Sequence, residues 1–270
     1  MFRVGRRLLQ NIHRSVSADE SVEVSESNGV RSLHLGNATI QSSMRVLDPT
    51  ALELNYTRAM MAFMLFMPSV RNILIIGLGG GSVPKYIYHH MPEVESLRVV
   101  EINARIIQTA RSHFEVPDND ARFEISEGDG AAYIKMHPAT AQVLMMDAYG
   151  SHGIAEDLSS QEFFDSCVKA LTPDGVLVTN LWGSDRNFDV YLQRIEQAFD
   201  QRALILPTGR PGNIIVFAFR RQPAESRWTA LREHARKLEQ NHKIEFLQFL
   251  EKIWDCNPST SHRLTFGSRA

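Results

Sequence analysis

Four glycines crowd one short stretch, Gly77, Gly79, Gly80 and Gly81 in "IIGLGGGSVPKYI", directly after an apolar run. Without a Cβ, such a loop lets backbone approach a ligand that any side chain would push away. Glu101 follows 22 residues after Gly79, at the end of the next apolar run. An acid at that spacing is the expected acceptor for ribose hydroxyls. Asp129 and Gly130 sit just past a third run, in "EGDGAAYI". A carboxylate there can accept from the amino group of a purine, and it can also cap the helix that "GAAYIKM" predicts. Asp147 closes a fourth run, "QVLMMD", where it can serve as a general base. These residues describe a nucleoside site with a base beside it.

The elements that must hold them are legible. Candidate strands are "NILIIG", "SLRVVEI", "RFEIS", "QVLMMD" and "GVLVTNLW", separated by helical segments from Ser82, Asn103, Gly130 and Ser159. That alternation predicts an α/β fold with a doubly wound parallel sheet, which binds ligands at the carboxyl ends of its strands. A helix over 188–199, the strand "RALILP", the turn "TGRPGN" and the strand "IIVFAFR" follow. Two strands joined by a short turn predict an antiparallel last strand. This seven-stranded, Rossmann-like ending is that of S-adenosylmethionine-dependent methyltransferases rather than nicotinamide dehydrogenases. A nicotinamide fingerprint also wants Gly or Ala where Ser82 stands.

Upstream, "SVEVSESNGVRSLHLGN" alternates on both sides of Asn28-Gly29, the signature of a tight hairpin. With "ATIQSSMRV" it predicts a small β unit over 19–47. Residues 1–18 read as a basic tail, although an organelle transit peptide has the same look. Residues 48–221 read as the nucleoside-binding domain, with Asp48 capping a helix that has Pro49 in its first turn. Residues 222–270 read as a helical extension. The formal charge of −2 argues against a general nucleic-acid binder. No apolar stretch approaches the length of a membrane span. Two cysteines, Cys167 and Cys256, read as small hydrophobes in a reducing compartment rather than a disulfide framework. The expected location is the cytoplasm.

From about Asp19 to Arg221 the sequence resembles the spermidine synthase family, the polyamine aminopropyltransferases. Ile40-Gln41 stands at the family's Ile-Gln pair and Tyr56 at the tyrosine of its Tyr-Gln-Glu motif. Glu101 and Gly128-Asp129-Gly130 stand at its nucleoside positions, Asp147 at the first aspartate of Asp-x-x-Asp, and Gly153, Ala155 and Glu156 in its gate loop. The resemblance implies a site for decarboxylated S-adenosylmethionine or a related thioether nucleoside, a small-molecule amine acceptor, no metal, and a homodimer. Three departures fall on the amine side. The aspartate of the family's glycine loop is Gly80, the second aspartate of Asp-x-x-Asp is Gly150, and the glutamine after the motif tyrosine is Thr57.

Aminopropyl transfer needs an acceptor that has lost a proton and acidic groups around its cation. Asp147 is the remaining base, with Glu156 or Asp157 as substitutes for the missing acids and His152 as a further proton carrier. Gly80 also removes a charge that would repel the carboxylate of S-adenosylmethionine. Methyl transfer to an unknown small nucleophile therefore stands as an alternative, with Tyr56, Tyr149 and Trp182 as an aromatic acceptor pocket. A nucleoside-binding homologue without turnover is the third reading.

Overall fold

The computed structural model describes residues 10–15, 21–36, 40–150, 153–154, 156–209 and 212–267. Strands β1 (Gln10–Ser15), β2 (Val22–Ser27), β3 (Val30–Leu35) and β4 (Ile40–Arg45) form an antiparallel sheet in that order. Asn28 and Gly29 take φ of 52° and 73° at the β2–β3 turn, as a primed hairpin turn requires. Val22, Val24, Leu33 and Met44 are buried beneath the sheet. Strand β1 extends the pairing into the stretch read as a tail. Edge pairing uses only backbone groups, so "QNIHRS" needs no apolar alternation to join.

Asp48 does not start a helix. Its carbonyl instead accepts from the amide of Ala51 in a tight turn, and helix α1 begins at Asn55 (Asn55–Met60), passing into a 3-10 segment over Met61–Leu65. Every residue of that segment is buried, which agrees with a run too apolar to face water.

The main sheet follows. Its strands are β5 (Asn72–Ile76), β6 (Ser96–Glu101), β7 (Phe123–Glu127) and β8 (Ala141–Met146). Strands β9 (Tyr149–Gly150) and β10 (Gly153–Ile154) make a separate two-stranded ribbon, and β11 (Leu171–Trp182), β12 (Ala203–Pro207) and β13 (Asn213–Phe219) complete the sheet. The strand order is β12-β13-β11-β8-β5-β6-β7, and β13 runs antiparallel to both neighbours. The seven-stranded arrangement expected from the sequence is the one observed. Helices α2 (Ser82–His90), α3 (Ala104–His113), α4 (Gly130–Met136), α5 (Gln161–Ala170) and α6 (Phe188–Ala198) make the crossovers. Two apolar layers separate on the faces of the sheet, with Ile73 and Ile75 in one and Leu74 and Ile76 in the other, the period of two that a doubly covered strand demands.

Helices α7 (Trp228–His242) and α8 (Phe246–Cys256) close the chain against the 3-10 segment. Arg58 of α1 pairs with Glu245 at 2.9 Å and donates to the carbonyls of Leu52 and Glu53. The extension thereby fixes the helix that carries Tyr56.

Candidate active site

A cavity of about 420 Å³ opens over the carboxyl ends of β5, β6 and β8. Its wall includes Gly77, Gly79, Glu101, Asp129, Gly130 and Asp147, together with Gln41 and Tyr56. Residues spread over more than 100 positions are thus brought to one place. The sheet explains why: parallel strands end their turns on the same edge.

The side expected to hold a nucleoside is built from backbone. Strand β5 ends at Ile76, and Gly77 turns the chain at φ 94°. A Cβ there would lie 2.3 Å from the Asp147 carbonyl oxygen, so β5 and β8 can end side by side only with glycine. Glu101, 6% exposed, accepts from the amide of Leu78 at 2.8 Å and of Asn103 at 3.0 Å. Burial raises its pKa, and those amides pull it back. Its carboxylate therefore stitches the glycine loop to the end of β6 as well as facing the cavity. Asp129 does cap α4, accepting from Ala131 at 2.8 Å and Ala132 at 3.4 Å. Both bonds go to Oδ1, and the residue still lines the cavity. Ile102, 73% exposed, lies on the same wall as an apolar surface suited to a purine. Its only sequence signal is its place after Glu101.

Gly80 and Gly81 do not line the cavity. A Cβ on Gly80 would meet Ser42 Oγ at 2.7 Å and Phe114 Cδ1 at 3.0 Å. A Cβ on Gly81 would meet Val116 Cγ2 at 2.3 Å. Gly80 is small because β4 packs against the loop: Ser42 Oγ is 3.1 Å from Ser82 Oγ, which in turn reaches the Ser43 carbonyl at 3.2 Å. The expectation that Gly80 and Gly81 touch the cofactor is corrected, since neither lies on the cavity wall. Ser42 takes the room beside Gly80, 38 residues upstream in sequence.

The other side of the cavity is built from side chains. Asp147 Oδ1 accepts from Asn180 Nδ2 at 2.9 Å. Burial pushes its carboxyl above the usual range, while donation from Asn180 and Tyr56 opposes that. The Tyr56 hydroxyl donates to the Gln41 carbonyl at 3.1 Å. It also sits where the Asp147 carboxylate competes for the same proton, and burial followed by that negative charge holds the phenol well above its ordinary pKa. Thr57 spends its hydroxyl on the Leu54 carbonyl at 2.7 Å. The ribbon of β9 and β10 leads into a turn whose Asp157 and Leu158 line the cavity with Ile154. Glu156 is not on that wall.

Tyr149 lies on β9, and His152 falls outside the described residues. Trp182 is corrected: it is 41% exposed and off the cavity wall. Strand β8 pairs with β11 only as far as Met146 and Thr179, so Trp182 overshoots the ligand edge. Asn180 stands nearer that edge, and Asn213 Nδ2 donates to its Oδ1 at 2.9 Å. Neither amide carries a local signal, because the pairing depends on the antiparallel register of β11 and β13 (Asn180↔Ile215).

Comparison with known proteins agrees with this architecture. A polyamine aminopropyltransferase of Chromobacterium violaceum is 39% identical over 94% of this chain and 97% of its own. A probable spermidine synthase of Corynebacterium glutamicum superposes with a TM-score of 0.70 at 21% identity, over 87% of this chain and 88% of that one. Human methyltransferase-like protein 13, in complex with SAH, superposes with a TM-score of 0.63 at 23% identity over 70% of this chain and 93% of that one. Both superpositions speak to the fold. The spermine/spermidine synthase domain model matches residues 53–222. The chain belongs to the spermine/spermidine synthase family.

Proposed function

We propose that this chain transfers an aminopropyl group from decarboxylated S-adenosylmethionine to a small amine, a step of polyamine biosynthesis, with Asp147 as the base. The observation that carries the reading is the cavity wall itself. Its ionisable side chains among the described residues are Tyr56, Glu101, Asp129, Asp147 and Asp157, with no lysine, arginine or histidine. An anionic wall suits a cationic acceptor and disfavours a carboxylate. The identity shared with an aminopropyltransferase along nearly the whole chain supports the same reading.

The residues present fit the cosubstrate. Glu101 and the glycine loop would hold its ribose, and Asp129 and Ile102 its purine. Bound there, its sulfonium supplies an activated carbon: as nitrogen bonds to it, the carbon–sulfur bond breaks and the electron pair stays on sulfur as a thioether. The acceptor arrives as an ammonium and must first lose a proton. Asp147 takes that proton, and its raised pKa suits the task because a stronger base drives the transfer better. Tyr56 keeps the carboxylate in place by sharing its hydroxyl between Gln41 and Asp147. Asp157 adds negative charge at the gate side of the wall, where Gly150 supplies none. We further propose that the protein works in the cytoplasm as a homodimer.

Methyl transfer rests on the charge missing at Gly80, and the acids that remain on the wall still oppose a methionine carboxylate. Gly80 faces Ser42 and Phe114, not the ligand, so its small size leaves no vacancy for a methionine carboxylate. The test is turnover with a panel of monoamines and diamines, measured as methylthioadenosine released. Release with a diamine, abolished in Asp147→Asn, is the expected result. Thioether binding without release from any amine would sink the reading and leave a nucleoside-binding homologue.

A further inference from the structure

A carboxylate can only accept hydrogen bonds, and a primary amide can turn either its oxygen or its nitrogen toward a neighbour. Asn180, 3% exposed on β11, shows its nitrogen to Asp147 and its oxygen to the amide nitrogen of Asn213. The direction of each bond in this chain follows from the one before. Asn213 in turn is held by its own strand end, where its carbonyl accepts from both the amide and the hydroxyl of Thr208 at 2.9 Å. The Thr208 carbonyl takes Asn55 Nδ2 at 2.7 Å. Asn55 begins α1, and the next residue is Tyr56. The path closes on itself: Asp147 and the tyrosine beside it are anchored through the same β12–β13 turn.

We infer that Asn180 and Asn213 are positioning residues for the proposed transfer, an amide relay that orients Asp147 and keeps it ionised at neutral pH. Neither side chain lines the cavity, so both act through Asp147. Asn180 engages Oδ1 and leaves the second oxygen for the acceptor's proton. Donation from Asn180 offsets part of the effect of burial on the carboxyl. The other ionisable groups facing the cavity are Tyr56, Glu101, Asp129 and Asp157. None is cationic, so no positive side chain on the described wall can take over the role. Without the relay, Asp147 keeps a proton to higher pH and fails as a base. The inference rests on the proposed reaction for its kinetic test but not for its physical one.

Asn213→Asp is the sharpest variant. It is isosteric and changes an atom away from the cavity. Its carboxylate would draw the Asn180 nitrogen, turning the amide so that oxygen faces Asp147. The acid limb of the kcat/KM profile should then move up by about one pH unit, a tenfold loss below the limb. The rate should recover at high pH, and the affinity for methylthioadenosine should stay within about twofold. Asn180→Ala should move the limb in the same direction. A merely structural role predicts a loss equal at every pH. That result, or an unmoved limb in Asn213→Asp, would overturn the inference. Titration of the Asp147 carboxyl by carbon-13 NMR reads the same shift without turnover. A protein that releases no methylthioadenosine therefore rejects the reaction, while an unshifted carboxyl rejects the relay.

Discussion

The two sides of the cavity are held by different means. The nucleoside side is made of backbone turns fixed by the ends of β5, β6 and β7. Its one deeply buried acid, Glu101, is engaged by the amides of Leu78 and Asn103. The proposed amine side is made of side chains from α1, the end of β8 and the turn after β10, held from behind by amides on β11 and β13 through bonds between distant residues. A backbone site tolerates little change, because its geometry is the fold's own. A side-chain site can be retuned one residue at a time. Of the departures from the family, Thr57 falls on the second side.

The largest expected effect separates the sides by turnover. Asp147→Asn should reduce kcat by roughly a hundredfold to ten-thousandfold, the scale of a general base, with methylthioadenosine affinity nearly unchanged. Loss of both together in calorimetry and steady-state kinetics would show that the two sides are not independent. The converse variant is Glu101→Gln. It places an amide nitrogen against backbone donors and should weaken methylthioadenosine by roughly 1–3 kcal/mol. An unchanged dissociation constant would remove Glu101 from the site.

A third variant probes the packing behind the glycine loop. Gly80→Ala should destabilise the protein by about 1–3 kcal/mol through overpacking, since its Cβ would meet Ser42 Oγ at 2.7 Å. Ser42→Gly in the same chain should restore part of that in denaturant unfolding. An innocuous Gly80→Ala would mean that the loop faces open space after all, and would revive methyl transfer.

The legibility of the site follows this division. Gly77, Glu101, Asp129 and Asp147 were placed from sequence because each ends a strand, and a strand end is a local signal. The seven-stranded sheet with its antiparallel last strand was readable too, from spacing and one short turn. Gly80 misled because its neighbour Ser42 comes from another sheet. Asn180 and Asn213 were invisible because they are diagonal neighbours across a register that no single segment specifies. Asp48 begins a turn rather than a helix, and an acid before proline suits either.

The smallest effect concerns stability. Burial raises the folded-state pKa of Asp147, so its ionised form costs the native state free energy. The sign follows: protonation below the unfolded value near 4 removes the cost, and rising pH through the folded value imposes it. Asp147→Asn should therefore be more stable than wild type at neutral pH, by up to about 1 kcal/mol. The difference should vanish in acid. A variant less stable at pH 7 in thermal unfolding would show that Asn180 and Tyr56 more than offset burial.

The most direct test of aminopropyl transfer is the identity of the products. The protein is incubated with a diamine and either decarboxylated S-adenosylmethionine or S-adenosylmethionine, and both products are identified by mass spectrometry. The account predicts methylthioadenosine and an acceptor enlarged by one aminopropyl unit, formed only from the decarboxylated compound and lost in Asp147→Asn. A methylated acceptor with S-adenosylhomocysteine, formed from S-adenosylmethionine alone, would contradict it.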